Sequence, residues 1–181
     1  MPAHYYNDND PYAVAWLRTL IEQETLPAGD VDDRSIEKVK AHEIRGYTQC
    51  HFFAGIGGWP LALRMAGVPD DFPVWTGSCP CQPISSAGRR KGHADARHLW
   101  PAFHSLIAER RPAIVFGENV RYILCGDGRV RPIPPEPGLF PLAHGVPCRV
   151  GRLRAYGNAI VPQVGAAFIR AGLDAIGHTH D

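Results

Sequence analysis

The apolar positions of this chain come in short blocks set off by glycine and proline. Val14, Leu17, Leu20 and Ile21 recur at helical spacing behind Asp10 and Pro11. That spacing predicts a helix from about Pro11 to Glu24 with an aspartate cap and a proline in its first turn. Gln49-Cys50-His51-Phe52-Phe53 is an aromatic-rich, strand-like run that enters Ala54-Gly55-Ile56-Gly57-Gly58, after which Pro60 opens the helical pattern Leu61, Leu63, Met65. Pro73-Val74-Trp75 is a second short apolar run, followed by a turn. Leu99, Phe103, Leu106 and Ile107 mark the apolar face of a helix ending near Arg110, and Arg111 to Gly117 reads as a buried strand. Ala166, Ala167, Phe168, Ile169 and Leu173 predict a C-terminal helix that covers the sheet. Strands alternating with helices imply an α/β domain with a mostly parallel sheet and helices on both faces.

Composition narrows this to one modest domain. With 181 residues, 45% of them hydrophobic, the chain can bury a core but has little room for a second one. A formal net charge of +1 gives no overall sign of a polyanion partner, so any nucleic acid must be held by local patches. No targeting segment or membrane-length apolar span is evident, and five cysteines without paired spacing fit a reducing compartment. A soluble intracellular protein is expected. Cys79 and Cys81 are too close for a zinc knuckle, and no metal is expected. Many of the 19 glycines and 17 prolines crowd between Gly126 and Pro147, which reads as irregular loop. Asp32, Asp33, Arg34, Glu37, Lys38 and Lys40 read as a solvated helix face.

The candidate chemistry centres on Thr76 to Arg97. Pro80-Cys81-Gln82-Pro83 displays a thiol on a stiff turn, with Arg89, Arg90 and Lys91 nearby to favour its thiolate. On these residues alone a nucleophile and an inert thiol both stay open. Ser85, Ser86, Gly88 and Gly92 supply flexibility and Arg89, Arg90, Lys91 and Arg97 supply charge, as in a loop that closes over a DNA strand or one that is merely solvated. A strand, a glycine turn and a helix N-terminus at residues 49–65 let backbone approach a cofactor closely, and Glu118 places a carboxyl at the carboxyl end of a strand.

Four strings, in order, resemble the motifs of DNA (cytosine-5) methyltransferases: Phe53 to Gly58 (FAGIGG), Pro80 to Pro83 (PCQP), Glu118 to Val120 (ENV) and Gly157 to Pro162 (GNAIVP). The resemblance implies a Rossmann-like S-adenosylmethionine-dependent core. Cofactor contacts would fall on Phe53, Ala54, Gly55, Ile56, Gly57, Gly58, Pro80, Asn158 and Ala159. It makes Cys81 the nucleophile that adds to cytosine carbon 6, Glu118 the acid at ring nitrogen 3, and Asn119 the residue that orients the acid. Gln82, Ser85, Arg89, Arg90, Lys91 and Arg97 would meet DNA, with the cytosine turned out of the duplex. Asn7 to Ala13 (NDNDPYA) further resembles the family's acidic ribose-binding motif, with Asp8 as the carboxylate, and Gly29-Asp30-Val31 its adenine-contacting motif. In most relatives both follow the glycine turn. Here only about 22 residues separate Gly58 from Cys81, too few for two more strand-helix units, so the order reads as permuted. Asn9 stands where many relatives carry an aromatic, and His51, where they commonly carry an acid, reads as strand packing.

The chain departs from the family after Val120. Relatives carry an arginine-bearing motif and a target-recognition region there, whereas only about 36 residues lie between Val120 and Gly157. Arg129, Arg131, Arg149, Arg152 and Arg154 offer charge among prolines but no evident base-reading element. The arrangement implies a catalytic core over 1–121, an irregular segment over 122–155 and a returning cofactor-side segment over 156–181. Such shortened forms are similar to those of bacteriophages and prophages, which implies restriction-modification biology in the cytoplasm of a bacterial host. The expected function is methyl transfer to cytosine carbon 5 in DNA; the alternative is a catalytically silent remnant that binds S-adenosylmethionine, with or without DNA. A zinc-dependent base deaminase is disfavoured, because Ile84 stands where its second cysteine is needed and no His-x-Glu is present.

Overall fold

Short runs of backbone pairing, three or four residues at each of four places, build the frame. The structure, a computed structural model, describes residues 4–79, 99–118, 122–124, 130–132 and 160–177. Strands β1 (His4–Asn7), β2 (Gly29–Asp32), β3 (Gln49–Phe52), β4 (Val74–Gly77) and β5 (Val115–Gly117) form one sheet in the order β2-β1-β3-β4-β5. Every pairing is parallel, with His4 opposite Gly29 and Gln49, and Gln49 opposite Val74. All carboxyl ends therefore meet at one rim. The crossovers run through α1 (Pro11–Glu22), α2 (Gly58–Met65) and α3 (Trp100–Arg110), and α4 (Pro162–Ala175) packs on α2.

Side-chain alternation along the strands makes both faces apolar. Tyr5, Cys50, Phe52 and Trp75 point to one face, where Phe103 and Leu106 of α3 and Ile36, Val39 and Ile44 cover them. Tyr6 points to the other, against Leu17 of α1, while Val74 and Phe116 meet Leu63 of α2 and Ile169 and Leu173 of α4. This is the parallel, two-sided, Rossmann-like arrangement that the strand and helix blocks predict. Gly77 lets α3 seat, since a Cβ there would meet the Phe103 ring at 2.6 Å.

Local chemistry sets the helix ends. The Asp10 carboxylate caps α1 by accepting from Tyr12 N–H at 2.8 Å and Ala13 N–H at 3.3 Å, with Pro11 next to it. The strand expected from Arg111 shortens to Val115–Gly117, because Arg111 ends α3 in a left-handed conformation (φ 48°). Two expectations are corrected. The charged run after Asp32 is no helix face but a 3-10 turn at Ile36–Lys38, with Ile36 and Val39 buried and Arg34 bridging Asp32 and Glu43 at 2.7 and 3.2 Å. Within the segment read as wholly irregular, β6 (Tyr122–Leu124) and β7 (Val130–Pro132) pair antiparallel, Ile123 opposite Arg131. Tyr, Ile, Leu and Val favour a pleated ribbon, and Pro132 is tolerated at its end.

His51 proves to be strand packing, as part of a buried polar row across three strands. His4 Nδ1 faces His51 Nε2 at 3.3 Å, and His51 Nδ1 faces the Thr76 hydroxyl at 2.8 Å. Tyr6 stacks on His51, with ring centroids 5.1 Å apart. Either direction of donation makes both bonds of the row with both rings neutral, and His4 Nε2 stays buried without a partner among the described residues. Desolvation, then the neighbouring His4, holds His51 well below the usual imidazole value; desolvation also lowers His4, with Asp70 opposing and Arg64 assisting. The unfolded chain, with ordinary imidazoles near pH 6.5, takes up protons that the folded row refuses. Stability should therefore be full above about pH 6.5 and fall below it, by up to roughly 1.4 kcal/mol per pH unit for each histidine. Urea unfolding between pH 5 and 7.5 reads this slope, which His51→Gln should reduce; equal slopes in the two proteins would contradict it.

Candidate active site

The rim of the sheet is fastened at the ends of β1 and β2. The Asn7 side-chain amide donates to the carbonyls of Asp32 at 3.1 Å and Arg34 at 2.8 Å, which fixes the chain as it leaves β1. Asp8 comes next. Its Oδ1 accepts from Asp10 N–H at 2.9 Å and its Oδ2 from Gly55 N–H at 2.8 Å, a bond across 47 residues that ties the N-terminal segment to the glycine turn. Ala54 N–H adds a bond to the Asn7 carbonyl at 3.0 Å. Burial pushes the Asp8 carboxyl up, and the N–H donors of Asp10 and Gly55 pull it back. Two of its roughly four acceptor positions are engaged by these bonds, which leaves capacity for hydroxyl donors.

The turn is left-handed at three of five residues: Phe53 at φ 52°, Gly55 at 56° and Gly57 at 82°. An aromatic in this region is unusual and costs about 1–2 kcal/mol, so the surrounding bonds must hold it. The glycines serve different ends. A Cβ on Gly57 would meet Leu26 Cδ1 at 2.5 Å and one on Gly58 would meet Ile160 Cγ1 at 2.9 Å, whereas a Cβ on Gly55 would project into open space. Gly57 and Gly58 thus close the turn onto the core, and Gly55 leaves its outer side accessible. Phe53, Ala54, Gly55 and Gly58 line a cleft together with Trp59, Ser78 and Ile160.

Glu118 follows β5 directly and donates its own N–H to the Gly77 carbonyl at 3.1 Å. Its carboxyl is half-buried. Desolvation raises its proton affinity, and a hydrogen bond from Ser78 opposes the shift. Ser78 also accepts from the Trp59 indole Nε1 at 2.9 Å. A carboxyl that keeps its proton longer, one residue past a strand end and beside a cleft, is the arrangement of a general acid.

The structure thus brings together Asp8, Phe53, Ala54, Gly55, Gly58 and Glu118 at the carboxyl rim, with the half-buried Ile56 and buried Gly57 in the same turn. Asp30 is not among them. It pairs in register with Tyr5, three residues or about 10 Å short of the level of Asp8, and its carboxylate accepts from the Tyr47 hydroxyl at 2.6 Å. Pro80, Cys81, Gln82, Ser85, Arg89, Arg90, Lys91, Arg97, Asn119, Asn158 and Ala159 lie outside the described residues. Strand β4 leads toward Cys81 through Ser78, and Ile160, in the string after Ala159, packs on Gly58. Trp59 and Ser78 escaped sequence reasoning. Their one signal is position, directly after the glycine turn and directly after β4.

Residues 67–129 match the family model for C-5 cytosine-specific DNA methylase. The matched span covers about a third of the chain and runs from the end of α2 across β4, α3, β5 and Glu118; it supports DNA cytosine methylation as the general activity. Nothing matches the chain among the curated proteins or among the solved structures. Among the described residues no cluster of metal-ligating side chains forms, and no helix is long and apolar enough to cross a membrane.

Gly57→Ala should destabilise by about 2–3 kcal/mol, since it combines a left-handed backbone with a clash against Leu26. Gly55→Ala should lose only about 1 kcal/mol, for backbone strain alone. Chemical unfolding of both variants would test the division of labour, and equal losses would refute it.

Proposed function

We propose that this chain transfers a methyl group from S-adenosylmethionine to carbon 5 of cytosine in DNA through a covalent adduct on Cys81. The observation that carries the reading is the meeting of a glycine turn, a bridging carboxylate and a protonation-prone carboxyl at one rim, next to the strand that leads to Cys81. The match over residues 67–129 supports it independently.

The rim has the donor set that the cofactor requires. Asp8 retains acceptor positions for ribose hydroxyls, the open side of Gly55 admits close approach, and Phe53, Trp59 and Ile160 supply apolar walls. When bound, S-adenosylmethionine supplies an electrophilic methyl group. The Cys81 thiolate adds to cytosine carbon 6, which makes carbon 5 enamine-like and nucleophilic. Glu118 holds a proton at ring nitrogen 3 and so stabilises the adduct, with Asn119 orienting its carboxyl. Loss of the carbon 5 proton and departure of the sulfur restore the ring. Asn158, Ala159 and Pro80 complete the cofactor's surroundings, and Gln82, Ser85, Arg89, Arg90, Lys91 and Arg97 engage the DNA around an extruded base.

We further propose that the cofactor segments are permuted: β1, α1 and β2 supply, ahead of the glycine turn, what relatives supply after it. Supporting this, β1 lies beside β3 in the sheet, and the two chains leave their strands in opposite directions across it, the place where open α/β sheets bind ligands. The 2.8 Å bond from Gly55 to Asp8 joins the two segments. The unit is of the shortened phage type, with residues 1–121 as catalytic core and 156–181 returning to the cofactor side.

Transfer of labelled methyl to unmethylated random-sequence DNA tests the reading. Cys81→Ser should abolish transfer, and Glu118→Gln should reduce its rate about 10²–10⁴-fold. Asp8→Ala should weaken S-adenosylmethionine binding about 10–100-fold by calorimetry, since it removes the acceptor and loosens the glycine turn together, while the sheet and helices keep their circular dichroism. Cofactor binding with no transfer to duplex or single-stranded DNA would identify a silent remnant instead.

A further inference from the structure

Ser78 joins two groups that the chain places far apart. The Trp59 indole donates to its hydroxyl oxygen at 2.9 Å, and because Ser78 follows Gly77, whose carbonyl takes the Glu118 N–H at 3.1 Å, the same hydroxyl lies beside the Glu118 carboxyl and favours its charged form. An indole N–H can only donate, so Ser78 must accept from it, and its single proton is left to point at Glu118. Neither anchor is loose. Trp59 is 4% exposed and stacks on Phe116 with centroids 6.5 Å apart, while the Glu118 backbone is bonded to Gly77, the residue before Ser78.

We propose that Trp59 and Ser78 are positioning residues for Glu118: the indole turns the serine hydroxyl toward the carboxyl, and the hydroxyl fixes which carboxyl oxygen carries the acid's proton. The oxygen facing Ser78 accepts a hydrogen bond whether the carboxyl is charged or neutral. The proton therefore rides on the other oxygen, the one left to meet a substrate. Because Trp59 is the second residue of α2 and lines the cleft beside Gly55 and Gly58, the network also holds the acid in fixed relation to the glycine turn. This inference deepens the methyltransferase reading and rests on it for its catalytic consequence.

Two measurements on the full chain separate the network from the activity. In the first, the Trp59 indole N–H resonance, identified by its loss in Trp59→Phe, and the Glu118 carboxyl carbon are followed by NMR as pH is varied. The indole signal should move along the Glu118 titration curve, and this movement should vanish in Glu118→Gln and in Ser78→Ala. Ser78→Ala should also shift the Glu118 titration to higher pH, because it removes a donor that favours the carboxylate; Ser78→Thr should restore both behaviours. In the second, methyl transfer is measured against pH. Glu118 acts protonated, so the rate falls as pH rises through its pKa. Ser78→Ala should move that alkaline limb upward and lower the maximal rate about tenfold, and Ser78→Thr should recover it. A Trp59 signal that stays flat through the Glu118 titration, or a Ser78→Ala chain that titrates like the wild type, would overturn the network. Absence of transfer by the wild-type chain would overturn the methyltransferase reading, whereas the titration decides the network by itself.

Discussion

The bond between the Asp8 carboxylate and the Gly55 amide is the constraint on which the rest of the rim depends. It joins the backbone bonds of Ala54 to Asn7 and of Gly57 to Ala54 in holding a turn with three left-handed residues, one of them phenylalanine, and it is the side-chain bond among them. The bond also makes the N-terminal strand indispensable to a site whose other members come from the middle of the chain. Desolvation makes a bare carboxylate costly at this position, and the amides of Gly55 and Asp10 offset that cost in part.

Parallel pairing turns this local bond into a site. Since all five strands run in one direction, whatever follows each of them arrives at the same edge. Asp8 follows β1, the glycine turn follows β3, Ser78 follows β4 and Glu118 follows β5. The helices on both faces keep those ends level, and glycine is used where backbones must approach. Gly77 admits the Phe103 ring, Gly57 admits Leu26 and Gly58 admits Ile160. The candidate site thus gathers at the rim while the faces carry the packing.

Electrostatics follows the same division. The interior holds its ionisable groups neutral: the Cys50 thiol is pushed up to about 12 by burial, and the His4 and His51 rings are held below their usual range. At the rim, burial is incomplete and donors compete with it, so Asp8 and Glu118 are shifted upward against opposing hydrogen bonds. Groups under such opposed influences respond to small changes in their partners, as acid–base chemistry requires.

Features set by neighbours along the chain were legible in the residues themselves. Asp10 and Pro11 begin α1 where their backbone chemistry requires, the glycines of the turn take the φ values that only glycine adopts freely, and Glu118 stands past a strand as its apolar run foretold. The α/β class with helices on both faces followed from the same blocks. Pairings between distant segments were not legible. β1 and β2 are four residues each, too short to carry a period, and exist because β3 offers β1 a partner edge and β1 in turn offers one to β2. The 3-10 turn after Asp32 exists because Ile36 and Val39 are drawn into the core. Trp59 reaches Ser78, Ile160 seats on Gly58, and Asp30 falls short of the rim, only because register and packing place them so. A sequence writes caps, turns and apolar faces in adjacent letters; which rims and side chains then meet is decided by how those faces bury one another in three dimensions.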